Sequence, residues 1–487
     1  MKICLISPYE SASAYGLRIL SAVLKQDGHE VTSLFLPLDF RDEIPASALE
    51  GIFSHATSSA LVGLSLSSNY FRTAINLTRA IKSRCPDVPV MWGGIHPTIE
   101  PLECLEHCDI ACVGEAESAL SELAYKMASC LPYVGTRNFH FKMKDGSILS
   151  NSVRSLETNL DAIPFPDYTN ENHFILHEGR LVPMTPELLN RNLEGQYLTL
   201  SSRGCVHSCT FCCNNFLKTL YRGDRWFRKR SIPNVIEECL WVKEHLPWVT
   251  EILFDDDAFM YRETDELKDF IAAYSEKVGV PFFVTGITPQ CVTDEKIRLL
   301  AEGGMRRIRI GIQTASDRTN FEIYKRPIPH KKAEDAIEVI KKNHSAFRRT
   351  HYDFIVDNPW ETPQENLETL RFLLTLPRPW AINICSLTFY PGTELFERAC
   401  RESLITDKFK DIYDKSYKAY RNTYVNRMFY FFCQSNLPNW ALSLFVNKWI
   451  FALRLNYPLW WFYVALRDLK HYWKGLREKL RLAKGGL

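Results

Sequence analysis

Four cysteines fall within nine residues of the chain, in the stretch Leu198 to Asn215, "LTLSSRGCVHSCTFCCNN": Cys205, Cys209, Cys212 and Cys213. The first three are spaced C-x3-C-x2-C, so each can present a thiolate to one corner of a cubic iron–sulfur cluster. Omitting a fourth protein ligand leaves one iron open to a substrate. Cys213 is the candidate for that fourth ligand, but adjacent residues point in different directions and rarely reach one cluster. Structural zinc is the rival, and it prefers two C-x2-C elements or cysteines followed by histidines. Here there is one C-x2-C, one C-x3-C and no matching second knuckle.

The elements that must position these thiols follow a regular alternation. From about residue 196, "QYLTLSSRGC", "VTEILFDDDAF", "PFFVTGI", "MRRIRIGIQTAS", "THYDFIVDNP" and "AINICSLTFYPGT" read as strands, with helical stretches between them. Six strand–helix units fall short of an eight-fold barrel and predict a partial one, with its site at the carboxyl ends of the strands. The cysteine loop follows the first strand and so lies at that mouth.

The first 130 residues also alternate strand and helix, which predicts a doubly wound parallel sheet. Ligands of such sheets sit beyond the strand ends. Those ends place Ser65, Ser67, Gly93, Gly94, His96, Gly114 and Glu115 as candidate ligand-binding residues, with Tyr9, Tyr70 and Tyr390 as further pocket residues by position. The fold class expected is α/β. A Rossmann-like domain spans 1–130, a linker with a hairpin turning at Asp145-Gly146 spans 131–195, the partial (β/α)6 barrel spans 196–397, and a mainly helical, aromatic and basic region spans 398–487.

Composition sets limits on function. The chain has 487 residues, 46% hydrophobic and 24% charged, with a net charge of +2. That charge gives no general reason to bind nucleic acid, and no basic module is appended. Fifteen cysteines in a chain of this length are too sparse for a disulfide scaffold. "MKICLISPYE" reads as a buried first strand rather than a signal peptide, and the expected location is the cytoplasm. Beyond residue 425, "NRMFYFFCQ", "ALSLFVNKWIFALRL" and "YPLWWFYVAL" are apolar but interrupted, and none reaches the length of a membrane span. With the basic end of the chain, this region suits either packing on the core or peripheral contact with a membrane surface.

The segment "CVHSCTFC" resembles the signature of radical S-adenosylmethionine enzymes. Its place after the first of six strand–helix units agrees. The resemblance implies a [4Fe–4S] cluster on Cys205, Cys209 and Cys212, with S-adenosylmethionine on the open iron and Phe211 near its adenine. It also implies a role for the aspartates of "FDDDAF" toward the methionyl ammonium, Asp256 being the candidate, although alternation does not fix which of Asp255, Asp256 and Asp257 points inward. "GIQTAS" resembles the family's "GIESGS", which puts Gln313 toward the ribose with a glutamine in place of glutamate. "FIVDNPWET" resembles "FIIGLPGET", with Asp357 and Trp360 where the family has glycines.

"GLSLSS", "WGGIHPT" and "CVGEAES" in the front region resemble the cobalamin-binding domain that precedes many such cores. The D-x-H-x-x-G motif that supplies a lower histidine to cobalt is absent. The combined resemblance covers roughly residues 1–400. It implies a cobalamin-dependent radical enzyme, with a methyltransferase acting on an unactivated carbon or phosphorus of a small-molecule or lipid-like substrate as the leading reading. A radical oxidoreductase or cyclase without net methylation, and a non-catalytic cobalamin or iron–sulfur sensor, are the alternatives. An external electron donor such as flavodoxin or ferredoxin is implied, and no nucleic acid partner.

Overall fold

The computed structural model describes residues 1–449 apart from 379, 435, 436 and 447. Two sheets dominate it. The front sheet is built from β1 (Lys2–Ser7), β2 (Glu30–Phe35), β3 (Leu61–Ser65), β4 (Val90–Gly93) and β5 (Ile110–Cys112). It continues with β6 (Phe139–Lys142), β7 (Ile148–Ser150), β8 (His173–His177) and β9 (Arg180–Pro183), in the spatial order β7-β6-β5-β4-β3-β1-β2-β8-β9. The five central strands run parallel. β1 is buried at every residue after Lys2, as a strand covered by helices on both faces must be.

Residues 131–195 contribute a hairpin to each edge of this sheet. The expected one, β6–β7, turns at Asp145-Gly146, where the Asp145 carboxylate accepts the Ser147 amide at 2.9 Å. The second, β8–β9, joins the opposite edge beside β2 and turns through Glu178 and Gly179, both with positive φ.

The second sheet holds β10 (Gln196–Thr199), β13 (Glu251–Phe254), β14 (Phe282–Ile287), β15 (Met305–Gln313), β16 (Arg349–Val356) and β17 (Trp380–Ser386). All six are parallel and in chain order, the partial barrel expected. Two short strands, β11 (Ser202–Arg203) and β12 (Arg228–Lys229), pair as an antiparallel ribbon at the base of the cysteine loop.

Alternation decides what each barrel strand offers. In β15, Ile308, Ile310 and Ile312 are buried toward the helix layer, while Arg307, Arg309, Gly311 and Gln313 take the other face. The helices begin where capping residues satisfy free amides. Thr362 and Glu365 form a reciprocal capping box at the start of Pro363–Leu373, and Thr293 accepts the Lys296 amide before Asp294–Glu302.

The apolar stretch around Phe429 forms the helix Tyr424–Gln434, with Met428, Phe429, Phe431 and Phe432 buried in the continuous core. Trp440 and Trp449 are exposed, at 72% and 67%. The rest of the tail, including Trp460, Trp461 and the basic end, lies outside the described residues. Among the described residues no helix is long and apolar enough to cross a membrane.

Candidate active site

The cysteine loop leaves β10 through Ser201 and returns along β12. Gly204 opens it with φ +88, and a Cβ there would stand 2.4 Å from the Trp226 carbonyl oxygen, so only glycine passes. Midway, Thr210 pins the loop to the segment after β15: its amide donates to the Tyr324 carbonyl at 3.0 Å and its hydroxyl to the Ile323 carbonyl at 2.6 Å. Cys212 is extended, and the helix Cys213–Leu220 starts directly after it.

Cys209 is buried, and Cys205 and Cys212 are half-buried. Burial pushes the Cys205 thiol up to about 11 and the Cys209 thiol up to about 12, and each of the two also feels the charge of Cys212. Cys212 behaves differently. A hydrogen bond from Cys213 comes first among the causes that hold it below the usual thiol range, while the same contact and then burial raise Cys213. That contact makes Cys213 a hydrogen-bond donor to its neighbour. Among the described residues no three His, Cys, Asp or Glu side chains close on a point as the ligands of a single ion would. Cys205, Cys209 and Cys212 sense one another's charge, and three thiolates are the donor set that a cubic cluster takes.

The three aspartates after β13 divide by alternation. Asp255 and Asp257 are exposed to a cavity of ≈ 660 Å³ that Ser202, Gly204 and Asn214 also line. Desolvation, the largest cause, and the charge of Asp255 raise the Asp257 carboxyl against a hydrogen bond from Asn214. Its carbonyl oxygen lies 3.9 Å from the Cys205 sulfur. Asp256, the one named as the candidate among the three, points the other way and is 1% exposed. Its carboxylate accepts the Ser201 amide at 3.0 Å, the Ser201 hydroxyl at 2.9 Å and the Ser202 hydroxyl at 2.5 Å. Asp256 thus holds the loop through Ser201 and Ser202, and its neighbours Asp255 and Asp257 line the cavity.

Gln313 ends β15 with φ +73, a conformation that costs a non-glycine residue about 1 kcal/mol or more and that clusters at functional sites. Its amide nitrogen folds back over Gly311, where a Cβ would meet it at 2.6 Å. Phe211 is half-buried, edge-on to Tyr324 at 5.0 Å between centroids. Arg326 carries no motif that would single it out from sequence. It is 3% exposed, donates to the carbonyls of Ile312 at 3.1 Å and Gly311 at 2.5 Å, and forms no ion pair among the described residues. Burial lowers its basicity, and the acidic groups that raise it include the thiols of Cys209 and Cys205. A buried cation that forms no ion pair invites an anionic partner.

Across from the loop, the ends of β1, β3, β4 and β5 line a second cavity of ≈ 470 Å³. Ser65, Gly93, Gly94, Gly114 and Glu115 line it, as the sequence suggests. Gly114 has φ +85, and a Cβ on it would stand 1.9 Å from the Tyr221 hydroxyl, the group that accepts the Glu115 amide at 2.8 Å. Ser67 and His96 are not among the lining residues. His96 is fully buried, with Nδ1 3.1 Å from the Ser68 hydroxyl and its ring packed on Phe71 and Tyr413. The glycines before it turn the chain so that the ring enters the core. Burial pushes its imidazole down to about 4. Tyr9 lines the first cavity, Tyr70 stacks edge-on against it at 5.0 Å, and Tyr390 donates to Asn69 at 2.7 Å.

The two cavities share Tyr15, Ser65, Glu115, Leu200, Arg203 and Leu217, so one cleft runs from the front sheet to the cysteine loop. Its walls are held together by charge. Arg228 of β12 and Arg203 of β11 both reach Glu115, and Arg203 also pairs with Glu117 at 2.6 Å.

Comparison with known proteins agrees with this geometry. Residues 199–373 match the Radical SAM superfamily model and residues 1–124 the B12 binding domain model. The chain is 24% identical over 450 residues to cytidylyl-2-hydroxyethylphosphonate methyltransferase of Streptomyces wedmorensis, covering 83% of this chain and 80% of that protein. It is 21% identical over 331 residues to anaerobic magnesium-protoporphyrin IX monomethyl ester cyclase of Synechocystis sp., covering 65% and 60%. Of solved structures, the radical S-adenosylmethionine methyltransferase TsrM from Kitasatospora setae superposes with a TM-score of 0.64 at 16% identity, over 82% of this chain and 76% of that one. The cobalamin-dependent S-adenosylmethionine radical enzyme OxsB gives 0.65 at 14% identity, over 88% and 65%. With both domain models matched in this order, the chain is a radical S-adenosylmethionine enzyme with an N-terminal B12-binding domain.

Proposed function

We propose that this enzyme transfers a methyl group to a carbon or phosphorus atom of a small-molecule or lipid-like substrate. The observation that carries the reading is the single cleft joining the glycine-lined strand ends of the front sheet to the cysteine loop. The similarity to a phosphonate methyltransferase over most of both chains supports it.

Cys205, Cys209 and Cys212 would hold the cluster. Asp255 and Asp257, open to the cavity, suit the ammonium of S-adenosylmethionine, and the Arg326 guanidinium suits its carboxylate. In this reading Gln313 would meet the ribose and Phe211 the adenine. Ser65, Gly93, Gly94 and Gly114 leave the apolar space that a corrin ring needs. When bound, these groups supply one-electron bond cleavage and a methyl carrier. The protein's own part is to orient them, and Leu200 and Leu217, which line both cavities, help to keep water out. The reducing electron comes in this reading from an external donor such as flavodoxin or ferredoxin.

Incubation with S-adenosylmethionine labelled in its methyl group tests the proposal: labelled product supports it, and unlabelled product contradicts it. Deoxyadenosine without any methylated product would favour the oxidoreductase or cyclase reading, which the similarity to the magnesium-protoporphyrin ester cyclase motivates.

A further inference from the structure

A cavity of ≈ 490 Å³ opens at the β17 edge of the barrel, away from the cleft just described. Its inner wall is Arg307 and Arg309 of β15, His351 of β16 and Asn383 of β17. Its outer wall comes from the C-terminal segment, which crosses the edge where the Ser386 amide donates to the Tyr417 carbonyl at 2.7 Å and Lys415 donates to the Leu387 carbonyl at 2.9 Å. That segment adds Lys418 and three tyrosines to the lining, and no acidic residue lines the cavity.

The cations are only partly satisfied. Arg307 donates to Glu251 at 2.7 Å, and Arg309 uses its Nε on both oxygens of Asp353, at 2.9 and 2.8 Å. Those acids stand outside the lining and are already shared, Glu251 with Gln196 at 2.6 Å and Asp353 with Asn383 at 2.7 Å. Lys418 forms no ion pair among the described residues; its ammonium lies 5.8 Å from the Tyr417 ring centroid, and its charge reaches Asp39. The His351 Nε2 is buried and has no hydrogen-bond partner there. Guanidinium and ammonium groups around one opening, with a ring nitrogen left over, are the donor set for a multiply charged oxyanion.

We infer that this cavity binds a phosphate-class oxyanion, the anionic end of the substrate. Arg307, Arg309, Gly311 and Gln313 share one face of β15, and at about 3.3 Å per residue Gln313 stands roughly 13 Å beyond Arg309. An anionic group seated at Arg309 therefore leaves a substrate of that reach to extend to the barrel mouth. That the bound group belongs to the substrate rests on the methyl-transfer reading, whereas the affinity of the cavity for an oxyanion stands apart from it.

Isothermal titration of the reconstituted protein with inorganic phosphate, and separately with acetate, at low ionic strength is the test. Saturable phosphate binding, tighter than acetate and weakened about tenfold in Lys418→Gln and Arg309→Gln, is expected. Lys418 is exposed, so that variant reads binding even where Arg309→Gln disturbs folding. Absent phosphate binding, equal binding of acetate, or unchanged binding in Lys418→Gln would overturn the assignment. Phosphate that alters deoxyadenosine formation in the absence of substrate would mark an effector site and overturn the substrate-end assignment. Protein that forms deoxyadenosine yet binds no phosphate refutes the cavity and leaves the proposed function standing; protein that binds phosphate but forms neither deoxyadenosine nor methylated product does the reverse.

Discussion

Arg228 reaches from the ribbon at the base of the cysteine loop to both carboxylate oxygens of Glu115, at 3.0 and 2.5 Å. The pair ties a strand end of the front sheet to the barrel across the cleft. The Arg228 side chain is 1% exposed and that of Glu115 25%. Breaking a fully buried pair costs about 3–5 kcal/mol, and the partial exposure of Glu115 lowers this to about 2–3 kcal/mol for Arg228→Met. Chemical denaturation is expected to show that loss, with less cobalt retained after gel filtration of the reconstituted protein.

The aspartates separate structure from binding. Asp256→Asn removes the acceptor that holds Ser201 and Ser202, and is expected to cost about 1–3 kcal/mol and to lower iron loading. Asp255→Asn and Asp257→Asn should leave the melting temperature within about 2 °C of the parent and weaken S-adenosylmethionine binding by about tenfold. Equilibrium dialysis and thermal melts distinguish the two classes.

Among the cysteines, Cys205→Ala, Cys209→Ala and Cys212→Ala should each fail to retain a full cluster, while Cys213→Ala keeps about four irons. Iron and sulfide counts with electron paramagnetic resonance after reduction check this.

Asp357 ends β16 with φ +63, the left-handed region, where the family pattern that it resembles has glycine. It spends that strain on contacts: its carboxylate accepts the Ser386 hydroxyl at 2.7 Å, the Arg421 amide at 2.9 Å and the Asn426 amide group at 2.5 Å. Asp357→Gly should relieve about 1 kcal/mol of strain but release the segment around residues 415–426. Limited proteolysis should cut there at least severalfold faster than in the parent.

Asp167 accepts from Ser21 at 2.7 Å, Lys25 at 2.8 Å and His173 at 3.0 Å, fastening the proline-rich crossing segment to the front sheet. Burial opposes its ionisation, but the His173, Lys25 and Ser21 donors outweigh it and hold the carboxyl far below the usual carboxylate range. A depressed carboxyl contributes stability that is fully present above its unfolded value, about 3.9, and is lost as pH falls toward the folded value. Asp167→Asn should therefore destabilise the protein near neutral pH by about 3–5 kcal/mol, with the difference from the parent narrowing below about pH 4 in denaturation curves.

Much of this is legible in the sequence. The cysteine spacing, its place after the first barrel strand, the six strand–helix units and the Asp145-Gly146 turn all come from local pattern. Three consecutive acids after β13 conceal which one faces inward, because the strand ends there and alternation loses its reference. His96 follows two glycines at a strand end, the position of a ligand, yet the short helix that starts at Ile95 turns its ring onto Phe71. Arg326 carries no local signal at all. Its role emerges only when the chain after β15 folds back over Gly311 and Ile312.

Anaerobic reconstitution with iron, sulfide and hydroxocobalamin, followed by reduction with S-adenosylmethionine, tests the central claim most directly. About four irons and one cobalt per chain, with deoxyadenosine formed, is the result predicted for one cleft serving both cofactors. Iron without cobalt would contradict the front-sheet cavity as a cobalamin site, and zinc in place of both metals would contradict the reading of the cysteine loop itself.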